Sequence, residues 1–388
     1  MPESNSYDRI PYMVVFQEQS KFKDTYAGRM NFVALEAHLL KPHNPSDTVV
    51  IFMHPIGGGA YLPMVSALAK KGFHTIYCNS RYRGTDSALI MEKVVLDLGA
   101  CIRDAKERLG YNKVVLAGWS GGGSLSLFYQ SQAMEPTITH TPAGDEINLK
   151  EANLIPADGM MLLAAHISRA GTLTEWMDAS IRDESDPAQR DPELDLYDVN
   201  NPNQPPYSQA FVARYRAAQI ARNRKITAWV KQKLEDFKND GLDNEEFAFV
   251  VHGTMADPRF LDTSLDPNDR PANWCYLGEP RTVNNGPVGL ARFCTLRSWL
   301  SQWSYDDSNA DGLKAAPHIG VPTLVVGNTA DDACTPSHTH RLYEAVGVDD
   351  KEMHEIQGAN HYYFGQPEKM AEAATLCADW LTRKGFAG

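Results

Sequence analysis

A serine lies in a glycine-rich turn that is typical of nucleophilic catalysis. The run Gly118-Trp-Ser-Gly-Gly122 fits the pattern G-x-S-x-G and directly follows the apolar segment 113–118, which predicts a buried strand. A turn of this kind strains the serine backbone, and its glycines let the strand and the next helix approach closely. We therefore expect the Ser120 oxygen to project from the carboxyl end of the sheet, near a helix N-terminus that favours negative charge.

A histidine that could activate this serine lies near the C-terminus. A serine hydroxyl is a poor nucleophile at neutral pH, so a base must take its proton and a third group must orient that base. His361 follows the strand-like segment 352–357 and precedes the last predicted helix. This position, on a loop just past the final strand, distinguishes it from the other histidines. We expect His361 to be the base.

Two adjacent carboxylates, Asp331 and Asp332, follow the predicted strand 321–327. One of them should accept a hydrogen bond from the imidazole and stabilise its charged form. The chain order serine, aspartate, histidine is the order found in enzymes built on this type of turn. Asp257 preserves the same order, but it lies inside a long interruption of the strand and helix pattern. We therefore expect Asp257 not to orient the base.

Strands and helices alternate along much of the chain, which predicts a mostly parallel sheet with helices on both faces. The residues before Phe32 are interpreted as a polar leader. The predicted strands cover 32–40, 48–54, 73–78, 113–118, 159–166, 321–327 and 352–357, and the predicted helices include 62–71, 92–109 and 207–237. The segment after residue 166 breaks this alternation. The sequence thus predicts a core made of 1–166 and 317–388, with an inserted segment at 167–316.

Composition narrows the class of protein. The chain has 388 residues, of which 43% are apolar, and a formal net charge of −12. This apolar content suffices for a large core, and the acidic balance argues against a surface for nucleic acid or anionic membrane. One basic cluster is interpreted as the solvated face of a helix. It comprises Arg214, Arg216, Arg222, Arg224 and Lys225.

The same sequence predicts a cytoplasmic protein. No stretch approaches the roughly 18 apolar residues of a membrane span, and the first residues lack the features of an export signal. The six cysteines are dispersed without a C-x-x-C pair, which favours reduced thiols over a disulfide frame or a zinc site. We expect no metal and no cofactor.

The serine turn, the histidine and their order resemble the α/β-hydrolase superfamily over roughly residues 30–166 and 317–388. The resemblance implies an α/β-hydrolase fold with a mainly helical lid inserted after the sixth core strand. Members commonly carry the acid four residues before a proline, so Pro336 favours Asp332 over Asp331. Gly327 lies one residue further from either carboxylate than is usual in the family, and Asp331 is kept as the alternative.

The resemblance also implies two backbone amides for the oxyanion of a tetrahedral intermediate. Gly121, next to the serine, provides one of them. The second should come from the loop after the strand 48–54, where members usually have His-Gly. This chain has His54-Pro55 instead, and proline has no N–H, so the expected donor is Ile56, with Gly57 as the alternative. His54 is interpreted as a residue that organises the loop by hydrogen bonding.

The expected function is hydrolysis of a small-molecule carboxylic ester through an acyl-enzyme. Aromatic residues in the inserted segment favour an apolar or aromatic substrate, and Trp119, Trp299 and Trp303 are candidates for contact with it. Cleavage of a carbon–carbon bond, lactone opening and acyl transfer use the same triad. A non-catalytic module that binds a small ligand is the alternative of another class. The sequence leaves the oligomeric state open and is compatible with a homodimer.

Overall fold

The computed structural model describes residues 6–18, 23, 25, 29–59 and 62–387. Its strands are β1 (Tyr7–Gln17), β2 (Phe32–Pro42), β3 (Thr48–Phe52), β4 (Thr75–Cys78), β5 (Lys113–Trp119), β6 (Gly159–Leu163), β7 (Ala248–Val250), β8 (Phe293–Thr295), β9 (Thr323–Asn328) and β10 (Lys351–Ile356). Its helices are α1 (Pro63–Lys70), α2 (Met91–Glu107), α3 (Gly121–Met134), α4 (Arg169–Trp176), α5 (Gln209–Asn239), α6 (Pro258–Leu261), α7 (Pro280–Asn284), α8 (Leu296–Gln302), α9 (Gly312–Ala315), α10 (Pro336–Ala345) and α11 (Pro367–Arg383).

The central sheet has eight strands in the order β1-β2-β4-β3-β5-β6-β9-β10. The pairs β1–β2 and β2–β4 are antiparallel, and the remaining neighbours are parallel. Every residue of β3, β6 and β9 is buried, because helices cover both faces of a parallel sheet. The prediction of a mostly parallel sheet is confirmed.

The N-terminal residues differ from the prediction, since part of the expected polar leader is strand β1. This strand pairs along its whole length with β2, from Tyr7 opposite Pro42 to Gln17 opposite Phe32. It lies at the edge of the sheet, where a proline such as Pro11 is tolerated. Most of its residues are exposed or half-buried, although the segment contains the continuous apolar run Met13-Val-Val-Phe16. The sequence therefore held a strand signal that the prediction of a polar leader overlooked.

Helices cover the sheet as two layers. One apolar cluster joins the sheet to α2 and α3, and the other joins its opposite face to α1 and α11. The strand β5 and the helix α3 meet at Ser120, so the turn between them lies at the carboxyl end of the central strands. Ligands of open parallel sheets bind at this end.

The segment between β6 and β9 has an apolar core of its own, and its regular elements are helices apart from two short strands, with long loops between them. Its longest element is α5, which matches the helix predicted at 207–237. The tryptophans Trp299 and Trp303 stack inside this core with ring centroids 5.2 Å apart. The two-stranded antiparallel sheet of β7 and β8 lies beside them.

The basic cluster expected on a solvated helix face is exposed only in part. Arg216 and Arg222, expected on a solvated face, instead form ion pairs with Asp257 and Glu184, and Arg222 is buried. All six cysteines are buried free thiols. Within the described part of the chain, no helix combines the length and apolar character needed to cross a membrane.

Candidate active site

Ser120 occupies a strained turn between β5 and α3. Its backbone has φ 52° and ψ −120°, a left-handed conformation that side chains other than glycine rarely adopt. The turn closes because Gly118 has no side chain: a Cβ there would lie 2.5 Å from the carbonyl oxygen of Gly122. The sequence thus places a half-buried serine at the point where β5 ends and α3 begins, with the helix N-terminus beside its side chain.

His361 is held by Asp331. The Nδ1 atom of His361 lies 3.0 and 2.9 Å from the two carboxylate oxygens of Asp331, and both side chains are buried. Burial opposes protonation of the ring, but the charge of Asp331 and its hydrogen bond outweigh this effect and raise the pKa of His361. The pair has the geometry by which a carboxylate fixes the tautomer of an imidazole and stabilises its charged form.

The expectation of Asp332 as the partner of His361 is corrected to Asp331. Backbone amides of Ala333 and Cys334 donate to Oδ1 of Asp331 at 2.8 and 2.6 Å, and these bonds turn its carboxylate toward the ring. Asp332 extends elsewhere, and its backbone oxygen accepts a hydrogen bond from Tyr276. Burial, together with the nearby charge of Asp331, raises the pKa of Asp332 to about 6. Asp332 was favoured by its distance from Pro336. That distance does not take into account that the turn after Gly327 is one residue longer than is usual in the family.

Ser120 and His361 line one cavity of about 250 Å³. Among the described residues, the hydrogen-bonding partner of Ser120 is the thiol of Cys334, and 3.8 Å separates Ser120 Oγ from Cys334 Sγ. Burial raises the pKa of this thiol, which is therefore protonated and able to donate. Hydrogen bonds of catalytic groups are often long in a ligand-free protein and tighten when substrate binds.

The loop after β3 lies opposite the serine turn. The Nδ1 atom of His54 lies 2.5 Å from the carbonyl oxygen of Ile56 and 3.2 Å from its amide nitrogen. The shorter contact favours a protonated Nδ1 that donates to the carbonyl, and such a nitrogen has no lone pair for the amide. The amide of Ile56 then remains available, and both Ile56 and Gly57 line the cavity.

Two histidines pack against Gly121. A Cβ at Gly121 would lie 2.7 Å from Nε2 of His54 and 3.1 Å from Nε2 of His166, so the close approach requires glycine. Burial lowers the pKa of His54 to about 4 and lowers that of His166 well below its ordinary value. Both rings are therefore neutral at neutral pH.

The three tryptophans expected to contact substrate do not line this cavity. Trp119 packs edge-on against His361 and Tyr363 within the core. Trp299 and Trp303 point into the interior of the inserted segment, where their N–H groups donate to Thr227 and to the carbonyl of Ala291. Helical spacing identified them as a pair on one face but does not show whether that face meets the cavity or the core.

Other residues of the inserted segment form the wall, and sequence reasoning did not single them out as site residues. Arg169 and Thr172 belong to the first turn of α4, Trp176 to its last turn, and Tyr276 to the loop before α7. The position of α4 just beyond the carboxyl end of β6 is a signal that could have drawn attention to them. The complete lining comprises His54, Ile56, Gly57, Ser120, His166, Arg169, Thr172, Leu173, Trp176, Tyr276, Leu277, Val288, Gly289, Leu290, Ala333, His361 and Tyr362.

Asp257 takes part in a buried ion-pair network next to the site. Its carboxylate pairs with Arg216 and Arg259, and Arg259 also pairs with Glu175. Arg259 further donates to the hydroxyl of Thr335, in the turn that follows Asp331. These ion pairs occupy the carboxylate of Asp257, and His361 is paired with Asp331 instead.

Three side chains of the site could in principle bind a metal ion. The ligand atoms of Asp331, Cys334 and His361 lie within 4.8 Å of one another. However, both oxygens of Asp331 already contact His361, and the raised pKa of Cys334 disfavours the thiolate that metal binding needs. The donor set fits a hydrogen-bonded acid and base better than a metal centre.

Comparison with known proteins gives the family context of this geometry. The model of the Alpha/beta hydrolase family matches residues 50–373. Among solved structures, the alpha/beta hydrolase GrgF from Penicillium sp. sh18 is 12% identical with a TM-score of 0.50, and the match covers 97% of this chain and 99% of that chain. At that identity the likeness concerns the fold alone.

Two further solved structures are similar over most of their length. A monoacylglycerol lipase from Paleococcus ferrophilus is 17% identical with a TM-score of 0.45, covering 90% of this chain and 99% of that chain. An esterase from Pyrococcus furiosus is 13% identical with a TM-score of 0.46, covering 99% of this chain and 94% of that chain. No curated protein matches the sequence.

Proposed function

The chain belongs to the alpha/beta hydrolase family, and on this premise we propose that it is a serine hydrolase that cleaves carboxylic esters through an acyl-enzyme. One observation carries the proposal. A serine on a strained turn and a histidine held by a buried carboxylate line the same cavity. This is the constellation that acyl transfer to serine requires.

In the proposed reaction, Ser120 Oγ attacks the ester carbonyl while Nε2 of His361 takes the hydroxyl proton. Asp331 keeps the proton on Nδ1 and stabilises the imidazolium. His361 then donates the proton to the departing alkoxide, which leaves as an alcohol. Water, deprotonated by the same ring, attacks the acyl-enzyme and releases the acid, so the triad returns to its starting state.

Backbone amides are proposed to bind the oxyanion. Gly121 contributes its N–H from the first turn of α3, and the second donor is the N–H of Ile56, with Gly57 as the alternative. This assignment is supported by the position of Ile56 and Gly57 on the cavity wall and by the hydrogen bond that ties His54 to Ile56. Each such donor contributes roughly 3–4 kcal/mol to lowering the barrier.

The inserted segment is proposed to act as a lid. Its residues Leu173, Trp176, Val288 and Leu290 form apolar walls, which supports an acyl or alcohol group of apolar character. The volume of about 250 Å³ lies below the ~300–1,000 Å³ of pockets for drug-sized ligands, which favours a small substrate.

A fluorophosphonate probe tests the proposal directly. The purified protein should be labelled once, at Ser120, and the Ser120→Ala variant should not react, as shown by peptide mass spectrometry. A panel of aryl esters, lactones and vinylogous diketones would then compare ester cleavage with lactone opening and carbon–carbon cleavage. Absence of labelling, or labelling at another residue, would remove the serine-hydrolase proposal and favour a non-catalytic binding module.

A further inference from the structure

Four buried hydrogen-bond donors on the wall of the cavity lack partners. They are Nη1 of Arg169, Oγ1 of Thr172, Nε1 of Trp176 and Oη of Tyr276, and none has a hydrogen-bond partner among the described residues. All four residues line the cavity that Ser120 and His361 share. Buried polar groups are almost always satisfied in native proteins, so four unsatisfied groups around one cavity need an explanation.

All four groups are able to donate hydrogen bonds. Arginine and the indole of tryptophan can only donate hydrogen bonds, and the two hydroxyls can donate as well. Among the described residues that line the cavity, none is acidic. The group that satisfies this set must therefore be rich in acceptors.

Arg169 is fixed in place for such a role. Its Nη2 donates to Asp86 at 2.6 Å and its Nε donates to Gln302 at 2.9 Å, while the residue is only 1% exposed. These two bonds orient the guanidinium and leave its Nη1 atom without a hydrogen-bond partner among the described residues. Because Asp86 compensates the charge of Arg169, this pair alone does not set the charge of the ligand.

Arg292 supplies the uncompensated charge. Its Nη2 donates to the neutral oxygens of Thr254, Val283 and Asn284, and no carboxylate in the described part of the chain forms an ion pair with it. Its Nε and Nη1 are buried without partners. The guanidinium lies directly behind the cavity wall, since a Cβ at Gly289 would be 2.9 Å from Nη2. A buried cation without a partner is costly and favours a nearby anion.

We propose that the substrate carries a free carboxylate, which binds the donors of Arg169, Thr172, Trp176 and Tyr276 while its ester lies at Ser120. One uncompensated positive charge suits a monoanion, and a doubly charged phosphate would need a second. The ester part of this assignment rests on the proposed function, whereas the carboxylate site rests on the donors themselves. The carboxylate belongs either to the acyl part or to the alcohol part of the ester, and the test distinguishes these two sources.

Matched pairs of esters test the preference. For the acyl part, mono-p-nitrophenyl glutarate is compared with its neutral methyl ester. For the alcohol part, 4-carboxyphenyl pentanoate is compared with its methyl ester. We expect kcat/KM to be at least about tenfold higher for the anion in one pair, the effect of one hydrogen bond to a charged group. A ratio at or below one in both pairs would overturn the carboxylate site.

Conservative variants separate binding from folding. Tyr276→Phe and Thr172→Val remove hydroxyls that have no partner in the free protein, so the unfolding temperature should not fall. The ratio of kcat/KM for the anionic ester over the neutral ester should fall about threefold to tenfold, mainly through KM. Tyr215→Phe is the matched control, because this hydroxyl donates to the carbonyl of Ala256 away from the cavity. The control should lower stability and leave the ratio unchanged.

A binding measurement distinguishes failure of this proposal from failure of the hydrolase proposal. Calorimetric titration of Ser120→Ala compares monomethyl glutarate with dimethyl glutarate, and 4-carboxyphenyl pentanoate with its methyl ester, without turnover. Tighter binding of an anion than of its neutral ester supports the site even if the native protein neither hydrolyses esters nor reacts with fluorophosphonate. Hydrolysis of neutral esters combined with no anion preference in either measurement removes the carboxylate site and leaves the hydrolase proposal standing.

Discussion

Asp331 contacts Nδ1 of His361 through both of its carboxylate oxygens, at 3.0 and 2.9 Å. The adjacent Asp332 has no such contact with the ring, although the two carboxylates follow each other in the chain. Amide donors from Ala333 and Cys334 hold Asp331 in this orientation. The turn after β9 thus selects one of two equivalent side chains.

Substitution of the two carboxylates should have unequal effects. We expect Asp331→Asn to lower kcat by about 10⁴-fold, because the amide cannot stabilise the imidazolium and favours the wrong tautomer. Asp332→Asn should change kcat by less than about tenfold. Turnover of a neutral p-nitrophenyl ester measures both variants. A larger loss in Asp332→Asn than in Asp331→Asn would contradict the assignment of the acid.

The pH dependence of turnover should report the ionisation of His361. The ring must be neutral to accept the serine proton, so kcat/KM should rise with pH and level off above its pKa. Since Asp331 raises the pKa of His361, the midpoint should lie above the ordinary histidine value of about 6.5. In Asp331→Asn, only the weaker charge of Asp332 opposes the effect of burial on the ring, and the midpoint should move to lower pH.

Asp332→Asn is the control for this pH profile. Its charge acts on the ring more weakly than that of Asp331, so the midpoint should move little. The rates are followed at the isosbestic wavelength of nitrophenol, which removes the ionisation of the product from the signal. An unchanged midpoint in Asp331→Asn would show that Asp331 does not control the ring.

Gly121→Ala should impair turnover without unfolding the protein. The new methyl group would lie within 3.1 Å of His54 and His166, so that the serine turn must shift and misplace the amide of residue 121. Loss of one oxyanion donor lowers kcat by about 100-fold or more. Gly84→Ala is the matched control, since its Cβ would meet nothing within 4 Å. Near-native kcat in Gly121→Ala would argue against this amide as a donor.

Asp257→Asn should affect stability rather than chemistry. Removing one partner of a buried ion pair leaves an uncompensated charge and costs about 3–5 kcal/mol, and here Arg216 loses its carboxylate partner while Arg259 keeps Glu175. We expect a clear fall in the unfolding temperature, with kcat of the folded fraction retained within about tenfold. A loss of kcat comparable to that of Asp331→Asn would return Asp257 to consideration as the acid.

Local signals in the sequence were sufficient for the parallel strands of the sheet and for the positions of two proposed site residues at strand ends. Ser120 and His361 are each adjacent to the end of a strand, so their placement follows from the strand order once the strands are found. The choice between Asp331 and Asp332 was wrong because it depends on how one tight turn distributes its amide donors. Spacing along the chain carries no information about that distribution.

The residues that line the cavity are positioned by tertiary contacts, and these contacts cannot be deduced from sequence patterns. Arg169 reaches its position through Asp86 and Gln302, which are far away in the chain. Trp299 and Trp303 were expected to contact substrate, yet both pack toward α5 and the two-stranded sheet of β7 and β8. Periodicity identifies an apolar face but not the surface that covers it.

Buried charges anchor the inserted segment to the rest of the protein on two sides. Arg259 donates to Thr335 in the turn that follows Asp331, and Arg169 pairs with Asp86 of the core. Swinging the whole segment outward would separate these attachments, which is costly for buried ions. Val288, which lines the cavity, is 66% exposed. Substrates should therefore be selected by their width at a fixed entrance, under a lid that stays attached to the core.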